Sequence, residues 1–176
     1  MVLALALVAL VAAGCGGKSK SSPSSSASGP TTTSTATTAA KPGGVPPSPG
    51  EDKLGSKPKI AAPAGTPPRT LQKREIVKGT GKQAKTGDNV TVQYVGISWS
   101  NGKQFDASWD RGQPFKFQLG AGMVIPGWDQ GVIGMRVGGR RQLVIPPDLA
   151  YGPQGQPPTI GPNETLVFDI DLLKVQ

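Results

Sequence analysis

The feature that most constrains this chain is a break in its character at Arg69. Residues 16–68 run through KSKSSPSSSASGPTTTSTATTAAKPGGVPPSPG and continue in the same vein, with no apolar repeat at a spacing of 2 or 3.6 residues. A segment of that composition buries too little apolar surface to offset the entropy of ordering it. A packed domain must therefore be built from residues 69–176, about 108 in all, and residues 15–68 are expected to form a disordered linker. As a flexible coil, the stretch from Cys15 to Arg69 would span roughly 40 Å root-mean-square.

Beyond Arg69 the pattern is that of strands. Apolar and polar residues alternate through Val90-Thr91-Val92-Gln93-Tyr94, Phe115-Lys116-Phe117-Gln118-Leu119 and Leu166-Val167-Phe168-Asp169-Ile170-Asp171-Leu172, with a fourth short run from Arg141 to Ile145. Asn101-Gly102 is a hairpin-turn signal between Ile97-Ser98-Trp99 and Gln104-Phe105. One short helix is expected over residues 127–133, with Pro126 at its first position, where the missing N–H costs nothing. Trp128 and Val132 then share a face. The fold class is α+β, a mainly antiparallel sheet packed on one short helix. Asp169 and Asp171 fall on the same side of their strand, which reads as a solvated face rather than a catalytic pair.

Composition removes several chemistries. The chain has no histidine, so Ser-His-Asp and Cys-His arrangements and His-ligated zinc are excluded. Cys15 is the single cysteine, so there is no internal disulfide and no CxxC motif. Net charge is +8, from 19 Lys+Arg and 11 Asp+Glu. The basic residues form no run interleaved with aromatics, which speaks against nucleic acid as a partner. Gly79-Thr80-Gly81 lacks the third glycine of a dinucleotide loop, and the spacing from Gly96 to Gly102-Lys103 does not fit a phosphate loop. Asn163-Glu164-Thr165 matches a glycosylation sequon, a weak three-residue signal.

Residues 1–13, MVLALALVALVAA, are continuously apolar but shorter than the ~20 residues that span a bilayer. The run ends in small residues, as a secretory signal core does. Ala12-Ala13-Gly14-Cys15 then resembles the lipobox of bacterial lipoproteins, with Ala12 in place of the usual Leu and no basic residues ahead of the apolar run. The resemblance implies a signal peptide over residues 1–14, lipidation of Cys15, and a location on the outer side of a bacterial cytoplasmic membrane. An ordinary secretory signal with an incidental cysteine, or an unprocessed apolar anchor, is the alternative.

In residues 69–176 a series of short phrases remains. They are Val92-Gln93-Tyr94-Val95-Gly96, Gly102-Lys103-Gln104-Phe105-Asp106-Ala107-Ser108, Pro114-Phe115-Lys116-Phe117-Gln118-Leu119-Gly120, Val124-Ile125-Pro126-Gly127-Trp128, Ala150-Tyr151-Gly152 and Thr165-Leu166-Val167-Phe168-Asp169. Singly, most would be core residues. In this order, from about Lys73 to Val175, they closely resemble the FK506-binding-protein family of peptidyl-prolyl isomerases. The resemblance implies a twisted antiparallel sheet wrapped around one short helix, with a proline pocket between them. It places Tyr94, Phe105, Asp106, Phe117, Val124, Ile125, Trp128, Tyr151 and Phe168 in the catalytic pocket, and Arg111, Phe115, Gln156 and Ile160 in substrate binding. Trp128 would be the floor, and the Tyr151 hydroxyl and Ile125 N–H would meet substrate carbonyls. On their own, Asp106 and Arg111 fit equally a plain ion pair that fixes a loop. The loop Gln154–Thr159 departs from better-known members, with Gln156 where His is common and Thr159 where a branched apolar residue is common.

The implied activity is cis-trans isomerisation of X-Pro bonds, with no cofactor and no metal. Implied partners are proline-containing polypeptides of the secreted or cell-envelope class, FK506-like macrolides, and a membrane reached through the lipid anchor; the protein is expected to be a monomer. A non-catalytic proline-binding chaperone and a surface interaction lipoprotein are the competing readings.

Overall fold

The computed structural model describes residues 43–176, which fall within one compact unit. The apolar run and Cys15 lie outside the described residues. Six strands follow in chain order: β1 (Gln72–Val77), β2 (Asn89–Ser98), β3 (Gln104–Ala107), β4 (Phe115–Gln118), β5 (Gly139–Ile145) and β6 (Leu166–Val175), with a single α-helix, α1 (Pro126–Val132), between β4 and β5. The sheet order is β1-β5-β6-β2-β3, with β4 also paired to β2, and every pairing is antiparallel. The alternating runs became β2, β4, β5 and β6, and the helix lies within one residue of its expected bounds. β1 had not been singled out; its run, QKREIV, is mostly polar and half-exposed.

Period-two alternation gives the sheet two distinct faces. Val90, Val92 and Tyr94 of β2 and Leu166, Phe168, Ile170 and Leu172 of β6 point toward α1 and form the main core with Trp128 and Val132. With seven residues including Pro126, Gly127 and Gly131, α1 is too short and too glycine-rich to be helical alone, and packing makes it so. The glycines are required by closeness. A Cβ on Gly127 would stand 2.3 Å from Ile145 Cγ2, and one on Gly131 2.3 Å from Leu143 Cδ1. Arg141 closes the helix by donating to the carbonyls of Gly131 and Ile133 at 2.6 and 3.0 Å.

The opposite face carries two corrections. Asp169 and Asp171, expected to be solvated, are 1% and 2% exposed. Residues 43–68, expected to be linker, are what covers them. This strap lays Ile60 and Val45 on Val95, Ile97, Trp99, Ala107, Val144 and Val167, a second apolar cluster. Burying a side chain such as Ile60 contributes about 1.5–3 kcal/mol. Arg140, fully buried, donates to Asp171 from Nε and Nη2, and to the strap carbonyls of Glu51 at 2.7 Å and Ser56 at 3.0 Å. A buried ion pair is tolerable only when its remaining donors are satisfied in this way. Glu51 accepts from Arg74 at 2.6 and 2.9 Å, which holds its carboxyl below the usual range. The strap escaped pattern reading because it is neither helix nor sheet; beyond an isolated bridge between Gly44 and Ala64, its backbone groups pair irregularly.

Candidate active site

Between the sheet and α1 lies a box of aromatic rings with Trp128 at its centre. From the Trp128 ring, Tyr94 is 4.9 Å away, Phe168 5.2 Å, Phe117 5.7 Å and Phe115 6.2 Å, centroid to centroid. The Tyr94, Phe168 and Phe115 rings meet Trp128 edge-on, the arrangement the ring quadrupoles favour. Phe105 joins edge-on to Phe168 at 5.4 Å. The six rings come from five elements: Tyr94 from β2, Phe105 from β3, Phe115 and Phe117 from β4, Trp128 from α1 and Phe168 from β6. Ile160 belongs to the same apolar cluster, and Val124, Ile125 and Tyr151 pack against it, partly buried.

Gly96 is what allows two of these rings to meet. It lies opposite Phe168 on β6 and Asp106 on β3, and a Cβ there would stand 2.6 Å from Phe168 and 2.7 Å from Phe105. The sequence signal was present, a glycine interrupting a strand. Asp129 is a second residue that the sequence reading passed over. From the first turn of α1 its carboxylate accepts from the N–H groups of Gly120 and Gly122 at 2.8 and 3.1 Å, pinning the loop that presents Val124 and Ile125. The Ile125 N–H donates to no backbone carbonyl among the described residues.

At one wall, three polar side chains close on each other. The Tyr94 hydroxyl donates to Asp106; Arg111 donates to the other Asp106 oxygen and, at 2.7 Å, to the Tyr94 oxygen. The guanidinium also lies 5.6 Å over the Tyr94 ring. Burial, and then the bond to Asp106, push the Tyr94 phenol up to about 12. Burial also raises Tyr151. Both hydroxyls are therefore fixed donors at neutral pH.

A model of the family described as FKBP-type peptidyl-prolyl cis-trans isomerase matches residues 80–173, more than half of the chain. The protein is an FKBP-type peptidyl-prolyl cis-trans isomerase. It is 54% identical over 120 residues to an FK506-binding protein of Streptomyces anulatus, covering 68% of this chain and 97% of that one. With a probable FK506-binding protein of Corynebacterium glutamicum it shares 48% over 117 residues, 66% of this chain and 97% of the other. Among solved structures it is similar to AtFKBP13 (TM-score 0.57, 40% identity, covering 60% of this chain and 93% of that one). It is also similar to FkpA from Escherichia coli (TM-score 0.55, 46% identity, covering 60% and 48%).

In this isomerase Gln156 is exposed, and its N–H and C=O bond the Ile160 C=O and N–H at 2.8 and 2.9 Å. The strap at residues 43–68 lies outside residues 80–173, the stretch that the family model matches.

Proposed function

We propose that this isomerase assists the folding of secreted or cell-envelope proteins, held to the outer side of a bacterial membrane through a lipid on Cys15, and that it turns X-Pro bonds by pocket electrostatics rather than proton transfer. The observation that carries the mechanistic part is the pairing of an aromatic box with hydroxyl donors that do not titrate near neutrality. Rotation about an X-Pro bond faces a barrier of about 18–20 kcal/mol from amide resonance. At the twisted midpoint resonance is lost and the carbonyl oxygen carries less charge, so the twisted imide loses less than the planar one on leaving water. An apolar box thus favours the midpoint over the ground state. About 1.4 kcal/mol of that preference gives each tenfold in rate. The Ile125 N–H and the Tyr151 hydroxyl are suited to hold flanking carbonyls while the ring turns against Trp128.

The same box is suited to FK506-like macrolides and to proline-containing segments with an apolar residue before proline. The test is isomerisation of Leu-Pro and Phe-Pro peptides across pH 5–8, in light and heavy water, with and without FK506. A nearly flat pH profile, a solvent isotope effect close to unity and inhibition by FK506 are expected. A bell-shaped profile centred near neutrality, or a large isotope effect, would refute the mechanism; full activity at high micromolar FK506 would refute the macrolide reading.

A further inference from the structure

The turn at Trp109–Arg111, a single 3-10 turn, stands between the catalytic box and the strap. On its inner side Arg111 reaches Asp106 and Tyr94. On its outer side the adjacent Asp110 accepts from Lys57 of the strap at 2.5 Å, and its second oxygen accepts from Gln104 Nε2, at the start of β3, at 2.7 Å. Trp109 packs against the outer apolar cluster that contains Ile60 and Ala107. At the β2–β3 turn, Ala62 of the strap lies against Gly102, where an added Cβ would be 3.6 Å from the Ala62 Cβ. The strap thus touches this hairpin at its tip, along its back and at the turn that follows it.

None of the turn's three residues is buried and no side chain caps its start. Two backbone bonds close it, Arg111 N–H to Ser108 C=O and Gly112 N–H to Trp109 C=O, both at 3.1 Å. It is anchored at one end by the buried Ser108, whose Oγ accepts from the Tyr94 N–H at 2.8 Å. A residue whose guanidinium must meet two partners is therefore carried on a turn that buries none of its own residues. We propose that the strap is a working part of the isomerase, with Lys57 and Ile60 as positioning residues that hold the Trp109–Arg111 turn so that Arg111 stays on Tyr94 and Asp106. This rests on the assignment of those residues to the pocket wall. Lys57 acts from the solvent side on Asp110, and Ile60 acts from behind through Trp109 and Ala107. Both lie outside residues 80–173, which the family model matches, although the stretch aligned with the Streptomyces anulatus relative, 68% of this chain, includes Ile60; holding the turn makes this segment part of what sets activity. It also makes activity sensitive to anything that lifts the strap, such as proteolysis after Lys53, Lys57 or Lys59.

The experiment measures kcat/KM on a Phe-Pro peptide in the full chain, well below the thermal midpoint, for Lys57→Asp, Lys57→Arg and Ile60→Ala, with the midpoint recorded for each. The Lys57–Asp110 pair is 38% and 51% exposed, and such a pair contributes less than tenfold in an equilibrium. Lys57→Asp is expected to lower kcat/KM about two- to fivefold, and Lys57→Arg to stay within about twofold of the parent. Ile60→Ala should lower it at least as far as Lys57→Asp. Three results would overturn the proposal. The first is Lys57→Asp and Ile60→Ala both at parental activity; the second is Lys57→Arg as impaired as Lys57→Asp. The third is losses that follow only the fraction of unfolded protein. A parent chain inactive on proline peptides would overturn the pocket assignment together with the strap proposal, whereas an active parent with unaffected variants overturns the strap alone.

Discussion

Asp169 gives the sharpest quantitative test of the two-faced sheet. It lies under the strap, 1% exposed; Oδ1 accepts from Gln142 Nε2 at 2.9 Å, and Oδ2 has no hydrogen-bond partner among the described residues. Burial pushes its pKa from 3.8 up to about 6, against the opposing pull of the Gln142 bond and the Arg140 and Arg74 guanidinium groups, while Glu51 adds to the rise. The folded protein therefore holds a proton near pH 5 that the unfolded chain has released. Stability from this group is fully present below about pH 4 and is lost as pH rises through about 6. Between 3.8 and about 6, at about 1.4 kcal/mol per pH unit, the full loss approaches 3 kcal/mol, about half of it above pH 5. Glu51 works with the opposite sign, since its lowered pKa contributes stability that is lost only below about 4.5. The interval from pH 5 to 7 therefore isolates Asp169.

Asp169→Asn keeps an acceptor for Gln142 and removes the buried charge. It forfeits attraction to Arg74 and Arg140, so the net gain at pH 7 should be about 1–2 kcal/mol. Urea unfolding at half-unit steps from pH 5 to 7.5 is the assay. The parent should lose stability across the interval, and the variant should be flat and more stable at pH 7. A variant less stable than the parent at pH 7, or one that keeps the parental slope, would refute the reasoning.

Two further outcomes follow from packing and from the anchor. Gly131→Ala or Gly127→Ala drives a methyl group to 2.3 Å from Leu143 or Ile145, and should cost about 1–3 kcal/mol in urea unfolding; an unchanged midpoint would mean that α1 can lift from β5 freely. Cys15→Ala, expressed in a bacterial host that processes lipoproteins, should move the protein out of the membrane fraction or block its processing, and unchanged retention with the same cleavage would rule out the lipid anchor.

The parts of the fold that were legible are those whose residues repeat at the spacing of the structure they form. β2, β4 and β6 alternate, Pro126 marks the start of α1, and Asn101-Gly102 marks the turn into β3. The aromatic rings were legible as a set only through the family resemblance of their phrases, since singly each reads as a core residue. The outer face was misread. Val95, Ile97, Val144 and Val167 lie on that side of the sheet, and they require cover as much as the inner face does. Alternation says which residues share a face, but not whether that face is wet. Had the outer apolar residues been counted as a second set in need of burial, a segment such as Val45–Ile60 would have been sought to cover them. Arg140 carries the same message: buried beside Arg141, it finds one partner within the sheet and its others in the strap. Those partners are Asp171 and the carbonyls of Glu51 and Ser56. The strap's low apolar content is therefore no argument for disorder along its whole length: part of what it supplies to the fold is backbone oxygen, which every residue carries and no composition reveals.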